Sequence, residues 1–83
     1  DINFRNNVNL IKYDVDKAIA EFKAVLKNYP HFDFANYYLA EAYKKKGDIF
    51  NAMEYYKNTI KYNPDHTEAV EKLAALDLRN NNI

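Results

Sequence analysis

Apolar residues recur along this chain at helical spacing, in stretches separated by short polar breaks. Between Val15 and Asn28 they are Val15, Ala18, Ile19, Phe22, Val25 and Leu26, with Asp16, Lys17, Glu21, Lys23 and Lys27 on the other side. Such a pattern has the 3.6-residue period of an amphipathic helix. From Asp33 onward two more stripes follow: Ala35, Leu39, Ala42 and Tyr43, then Ile49, Ala52, Met53, Tyr56 and Ile60. Nearer the start, Phe4, Val8 and Ile11 form one stripe over 1–12 in a segment rich in asparagine, a poor helix former, so this helix depends on a neighbour to exist. After Pro64 a last helix is expected, capped by Asp65 or Thr67, with Val70, Leu73, Ala74 and Leu76 inward and Glu68, Glu71, Lys72 and Asp77 outward. Leu78 and Ile83 fall off that stripe, and the Asn80-Asn81-Asn82 tail is expected to fray.

The breaks carry their own signals. Gly47 is the sole glycine and follows the last periodic residue of the third stretch, where a left-handed residue closes a final helical turn. Lys44, Lys45 and Lys46 place cations at the carbonyl end of that helix, either as complements to its dipole or as contacts for an acidic partner. Asp48 is positioned to cap the next helix. Prolines at 30 and 64 end the helices before them.

Those prolines are 34 residues apart, and the same offset pairs Asp14 with Asp48, Ala18 with Ala52, Ile19 with Met53, Phe22 with Tyr56, Lys23 with Lys57, Leu26 with Ile60 and Lys27 with Lys61. The spacing marks an internal repeat. Residues 1–12 fit the repeat better with a one-residue shift that places Phe4 opposite Leu39 and Val8 opposite Tyr43, which implies a shorter turn through Lys12-Tyr13-Asp14.

Asn36-x2-Leu39-Ala40-x2-Tyr43, followed by Ala52-x3-Tyr56 and Pro64, resembles the tetratricopeptide repeat signature. The departures are Asn36 at a position usually held by tryptophan or another bulky residue, Ala40 in place of glycine, and Thr59 where a small apolar residue is common. The resemblance implies an all-α fold: a right-handed superhelical array of antiparallel helix pairs, with five helices making about two and a half repeats. It divides a single domain over 1–83 into a degenerate first repeat at 1–32, a full repeat at 33–66 and a closing helix at 67–83. The chain opens on Asp1 with no signal-like segment, as expected of a domain within a longer protein. By the same resemblance the module is a non-catalytic scaffold for a protein or peptide partner.

Composition narrows the alternatives. Twelve basic residues balance twelve acidic ones, so the excess of cations that nucleic-acid binding relies on is missing, with Lys44-Lys45-Lys46 the one dense basic spot. No run of about 18 apolar residues is present to insert in a membrane. The chain lacks serine and cysteine and has no glycine-rich loop, which removes the usual nucleophiles and phosphate cradles. His31 and His66 follow the two prolines without a carboxylate pair at ligand spacing, so they are read as turn residues, and no metal or cofactor is expected.

In stacked helical hairpins the first helix of each pair lines the concave face. The groove candidates are therefore Asn3 and Asn7, then Phe34, Tyr37, Glu41, Lys44 and Lys45, then Glu71, Ala75 and Leu78. Tyr37 and Tyr38 are neighbours about 100° apart on a helix, so both cannot point fully inward. Tyr38 is expected in the core and Tyr37 in the groove, either as an aromatic anchor or packed on Glu41 and Lys45. Some members of the family clamp a terminal carboxylate with lysine, arginine and asparagine; Asn7 matches one such residue, but Asn3, Phe4, Phe34 and Glu68 stand where the others belong. Glu41 and Glu71 beside Lys44 and Lys45 suggest a mixed, neutral ligand. The alternative is a structural module that forms homo-oligomers through an apolar end of the array.

Overall fold

A computed structural model describes residues 2–80 of the chain; the side chains of residues 2, 3 and 80 lie outside that description. The described residues form five α-helices and no strand: α1 (Ile2–Tyr13), α2 (Val15–Asn28), α3 (Asp33–Lys46), α4 (Ile49–Tyr62) and α5 (Thr67–Asn80). Displacing α2 by 34 residues gives α4, and displacing α3 gives α5, residue for residue. Each helix packs on the next, and α1 also reaches α3. The described body measures 40 × 26 × 18 Å. A 14-residue helix is only about 21 Å long, so the long dimension runs across the helices, along the direction in which they stack.

The helix ends follow local chemistry. Asp14 accepts the Lys17 amide at 3.1 Å, and Asp48 accepts the Asn51 amide at 3.2 Å and its side-chain amide at 2.7 Å. Gly47 sits at φ 92°, closing α3 in the left-handed region. A single residue, Asp14, separates α1 from α2, whereas Gly47 and Asp48 separate α3 from α4. The α1–α2 turn is thus the shorter one that the shifted register of Phe4 and Val8 implies.

Neither Asp65 nor Thr67 caps α5. The cap is His66, whose Nδ1 accepts the Ala69 amide at 3.3 Å while its ring is buried against Phe34 and Tyr37. The inward face of α5 also differs from the expected one. Ala69 and Leu76 are buried and Leu73 packs on the core, but Val70 is 43% exposed and Ala74 faces solvent. Ala69 decides this rotation: it stands 34 residues after the fully buried Ala35, and a methyl at that point allows close approach to α4.

Phe22, Leu39 and Tyr56 are the largest fully buried apolar side chains, set among alanines 18, 35, 40, 42, 52 and 69, none of which has any exposed surface. Small residues at the crossings bring the helices together and the large rings fill the space between. Asn36, where a bulky residue is usual, is buried and donates its side-chain amide to the carbonyls of Pro30 at 3.3 Å and Phe32 at 3.1 Å. It ties the α2–α3 turn to α3. Thr59 spends its hydroxyl on the Tyr55 carbonyl at 2.8 Å, so it can be buried among apolar neighbours.

Candidate functional site

Two connected hollows lie between α1 and α3. The first, of about 540 Å³, is lined by Val8, Ile11 and Lys12 of α1 and by Tyr38, Glu41, Lys44 and Lys45 of α3. The second, of about 390 Å³, is lined by Phe4, Arg5 and Val8 of α1, by Phe34 and Tyr38 of α3, and by Phe32 just before α3. Val8 and Tyr38 border both. The first turns of α1 and α3 meet at one end and their last turns at the other, so the two helices run parallel and the hollows form one open groove along them. Its floor is apolar, one end is aromatic and the other carries lysines.

Of the residues expected in a groove, Phe34, Glu41, Lys44 and Lys45 are brought together here. Asn7 lies on the opposite side of α1, in a hollow with Lys17, Glu21 and Asn28 of α2. Asn3 falls among the residues whose side chains are not described. Glu71 and Leu78 are exposed on α5, Leu78 at 74%, and border neither hollow.

Tyr37 does not project into the groove as expected. It is only 7% exposed, its ring lies against His66 and Tyr56, and its hydroxyl donates to Glu41 Oε1 at 2.9 Å. Tyr38, expected in the core, is half-buried, stacks on Phe22, meets Phe4 edge to face, and shows its remaining surface to the groove. The two tyrosines exchange roles because α5 and His66 close over Tyr37, while α1 leaves Tyr38 partly uncovered.

Glu41 is the centre of a polar network rather than a free acidic group. Besides Tyr37, it accepts the Tyr56 hydroxyl at 2.7 Å and pairs with Lys72 of α5 at 3.2 Å. Burial pushes its carboxyl upward, but the hydrogen bonds from Tyr56, Tyr37 and Lys72 outweigh this and hold it below the ordinary glutamate range. Burial first, and the Glu41 carboxylate next, push both tyrosine hydroxyls far above their ordinary range.

The three lysines of the run differ in their contacts. Lys46 bonds Asp16 of α2 at 2.5 Å and is exposed. Lys12, Lys44 and Lys45 have no ion-pair partner among the described residues. The groove role of Lys12, Val8 and Ile11 was not visible from the sequence, where Val8 and Ile11 read simply as a core stripe. The available signal was Lys12 itself, a cation in the last turn of α1 as Lys44 and Lys45 are in α3.

Among the described residues, no helix is long and apolar enough to cross a membrane and no acidic, histidine or cysteine cluster could hold a metal ion. Residues 34–66 match the family model of the tetratricopeptide repeat, so the chain contains a repeat of that family, in which such units generally mediate protein–protein interaction without catalysis. No curated protein matches the chain.

Proposed function

We propose that this tetratricopeptide-repeat chain is a non-catalytic scaffold that holds an extended peptide segment in the groove between α1 and α3. The observation that carries this reading is the groove itself: two hollows sharing Val8 and Tyr38, with an apolar floor and polar rims. From Phe34 to Lys45 the helix rises about 16 Å, a length covered by roughly five residues of extended chain. Half-exposed aromatic rings beside flexible charged side chains are the surface composition that peptide partners favour. On this reading α5 closes the array, and the Glu41 network fixes α3 as the rigid wall of the groove.

The absence of cysteine from the chain gives a direct test. A Lys45→Cys variant carries one thiol, and attaching a bulky maleimide there fills the lysine end without touching the core. Peptides selected from a random display library on the native chain should bind the unmodified variant and fail on the blocked one. Equal binding to both removes the groove from consideration.

Self-association is the second reading, favoured by Val70 and Leu78 on the outer side of α5. Light scattering across a concentration series separates the two. A monomer throughout supports the groove, whereas a concentration-dependent dimer abolished by Val70→Glu with Leu78→Glu supports association through α5.

A further inference from the structure

We infer that the groove selects an acidic partner: an extended segment with a pair of carboxylates at the lysine end and a large apolar side chain about five residues away at the phenylalanine end. This rests on the groove reading above and gives it a polarity. A mixed, neutral ligand is what Glu41 and Glu71 suggest when they are counted beside Lys44 and Lys45. The tertiary structure removes both acids from that balance. Glu71 borders neither hollow, and Glu41 already accepts the Tyr37 and Tyr56 hydroxyls and faces Lys72. What remains at that end is Lys12 from α1 with Lys44 and Lys45 from α3, three cations converging from two helices with no anionic partner among the described residues.

The opposite end has a different character. Phe4 and Phe32 lie 5.2 Å apart between ring centroids, Phe32 and Phe34 6.4 Å, and Phe34 is 45% exposed. An apolar side chain entering there covers aromatic surface that water now touches. Among the described residues Arg5 is the only charged side chain lining that hollow, so none of them offers a free carboxylate at either end to attract a basic segment. Like-charge juxtaposition disfavours cationic peptides at the lysine end, and complementary charge steers acidic ones toward it. Lysines complementing helix carbonyls do not by themselves explain the convergence, because Lys46, which serves α3 equally well, is drawn off to Asp16 while the other two line the groove.

Selection of dodecamers from a random display library on the native 83-residue chain, followed by titration of the enriched peptides, tests this. Enriched sequences should pair two acidic residues with an aromatic or aliphatic one at a spacing of about five. Their affinity should weaken with added salt. Each exposed charge pair is worth a factor of about 1.5–5, so joint replacement of Lys12, Lys44 and Lys45 by glutamine should weaken binding by about 3- to 100-fold. Replacing all three by arginine should retain it. Neutral or basic sequences that ignore the glutamine variant but fail on the maleimide-blocked Lys45→Cys chain would overturn the acidic preference and leave the groove standing. Failure to enrich any sequence, or enrichment indifferent to both alterations, overturns both readings. Circular dichroism of the glutamine variant separates lost binding from lost folding.

Discussion

The Tyr56 hydroxyl donates to the Glu41 carboxylate at 2.7 Å across the interface between α4 and α3. Tyr56 has no exposed surface, and its partner is held from α3 and α5 as well by Tyr37 and Lys72. Hydrogen bonds to a charged group contribute about 1.5–3 kcal/mol each, which is a large share of the stability available to an 83-residue domain. Tyr56→Phe keeps the ring and removes the donor. Its melting temperature should fall by roughly 10 °C, at about 4–8 °C per kcal/mol for a domain of this size. A double-mutant cycle with Glu41→Ala should show strong non-additivity, because both changes remove the same bond.

Glu41 also sets a pH dependence. Its carboxyl is held below its ordinary value in the folded chain, so the folded state binds fewer protons there than the unfolded state. The resulting stability is complete above the unfolded glutamate pKa and is lost as pH falls through the lowered folded value. Thermal melts of the native chain and of Glu41→Gln should differ by a constant amount from pH 7 to about 5 and converge in the acid range below about 4. A difference that persists unchanged to pH 3 would show that ionisation of Glu41 contributes nothing.

His66 acts as a cap with a buried ring. Removing a helix N-cap costs about 1 kcal/mol, and loss of the ring contacts with Tyr37 and Phe34 adds to this. Asparagine can accept the Ala69 amide in its place but cannot replace the ring. The expected order of melting temperatures is native, then His66→Asn, then His66→Ala. Equal melting of the two variants would show that only the ring matters.

Gly47→Ala tests the turn without a packing effect, since a Cβ there meets nothing within 4 Å. The whole cost is the left-handed backbone at φ 92°, about 1–2 kcal/mol for an alanine. Gly47→Asn should lose less, because asparagine tolerates that region better. Denaturant midpoints of the two variants measure the difference.

Asn36 carries two carbonyls of the α2–α3 turn. Asn36→Leu restores a bulky apolar residue but leaves the Pro30 carbonyl without its donor, at about 1–3 kcal/mol, while the Phe32 carbonyl keeps the backbone amide of residue 36. Faster amide exchange at Phe32 through Ala35, measured by hydrogen–deuterium exchange, is the expected sign; unchanged exchange would mean that the turn does not depend on Asn36.

The helices and their ends were legible in the sequence because their causes are local. Apolar periodicity, Asp14 and Asp48 before their helices, Gly47 after α3 and the prolines at 30 and 64 each act within a few residues of themselves. The 34-residue offset placed α2 against α4 in the same way. What the periodicity could not assign is which of several half-apolar positions faces inward, because that depends on a neighbour distant in the chain. Tyr37 is buried since His66 and α5 close over it; Val70 and Ala74 are exposed since Ala69, with its small side chain, faces the core instead. The charge of the groove is likewise a tertiary property: Glu41 and Lys45 lie four residues apart and look like a balanced pair, yet beyond Tyr37 on its own helix the partners of Glu41 come from α4 and α5, and the lysine that joins Lys44 and Lys45 comes from α1.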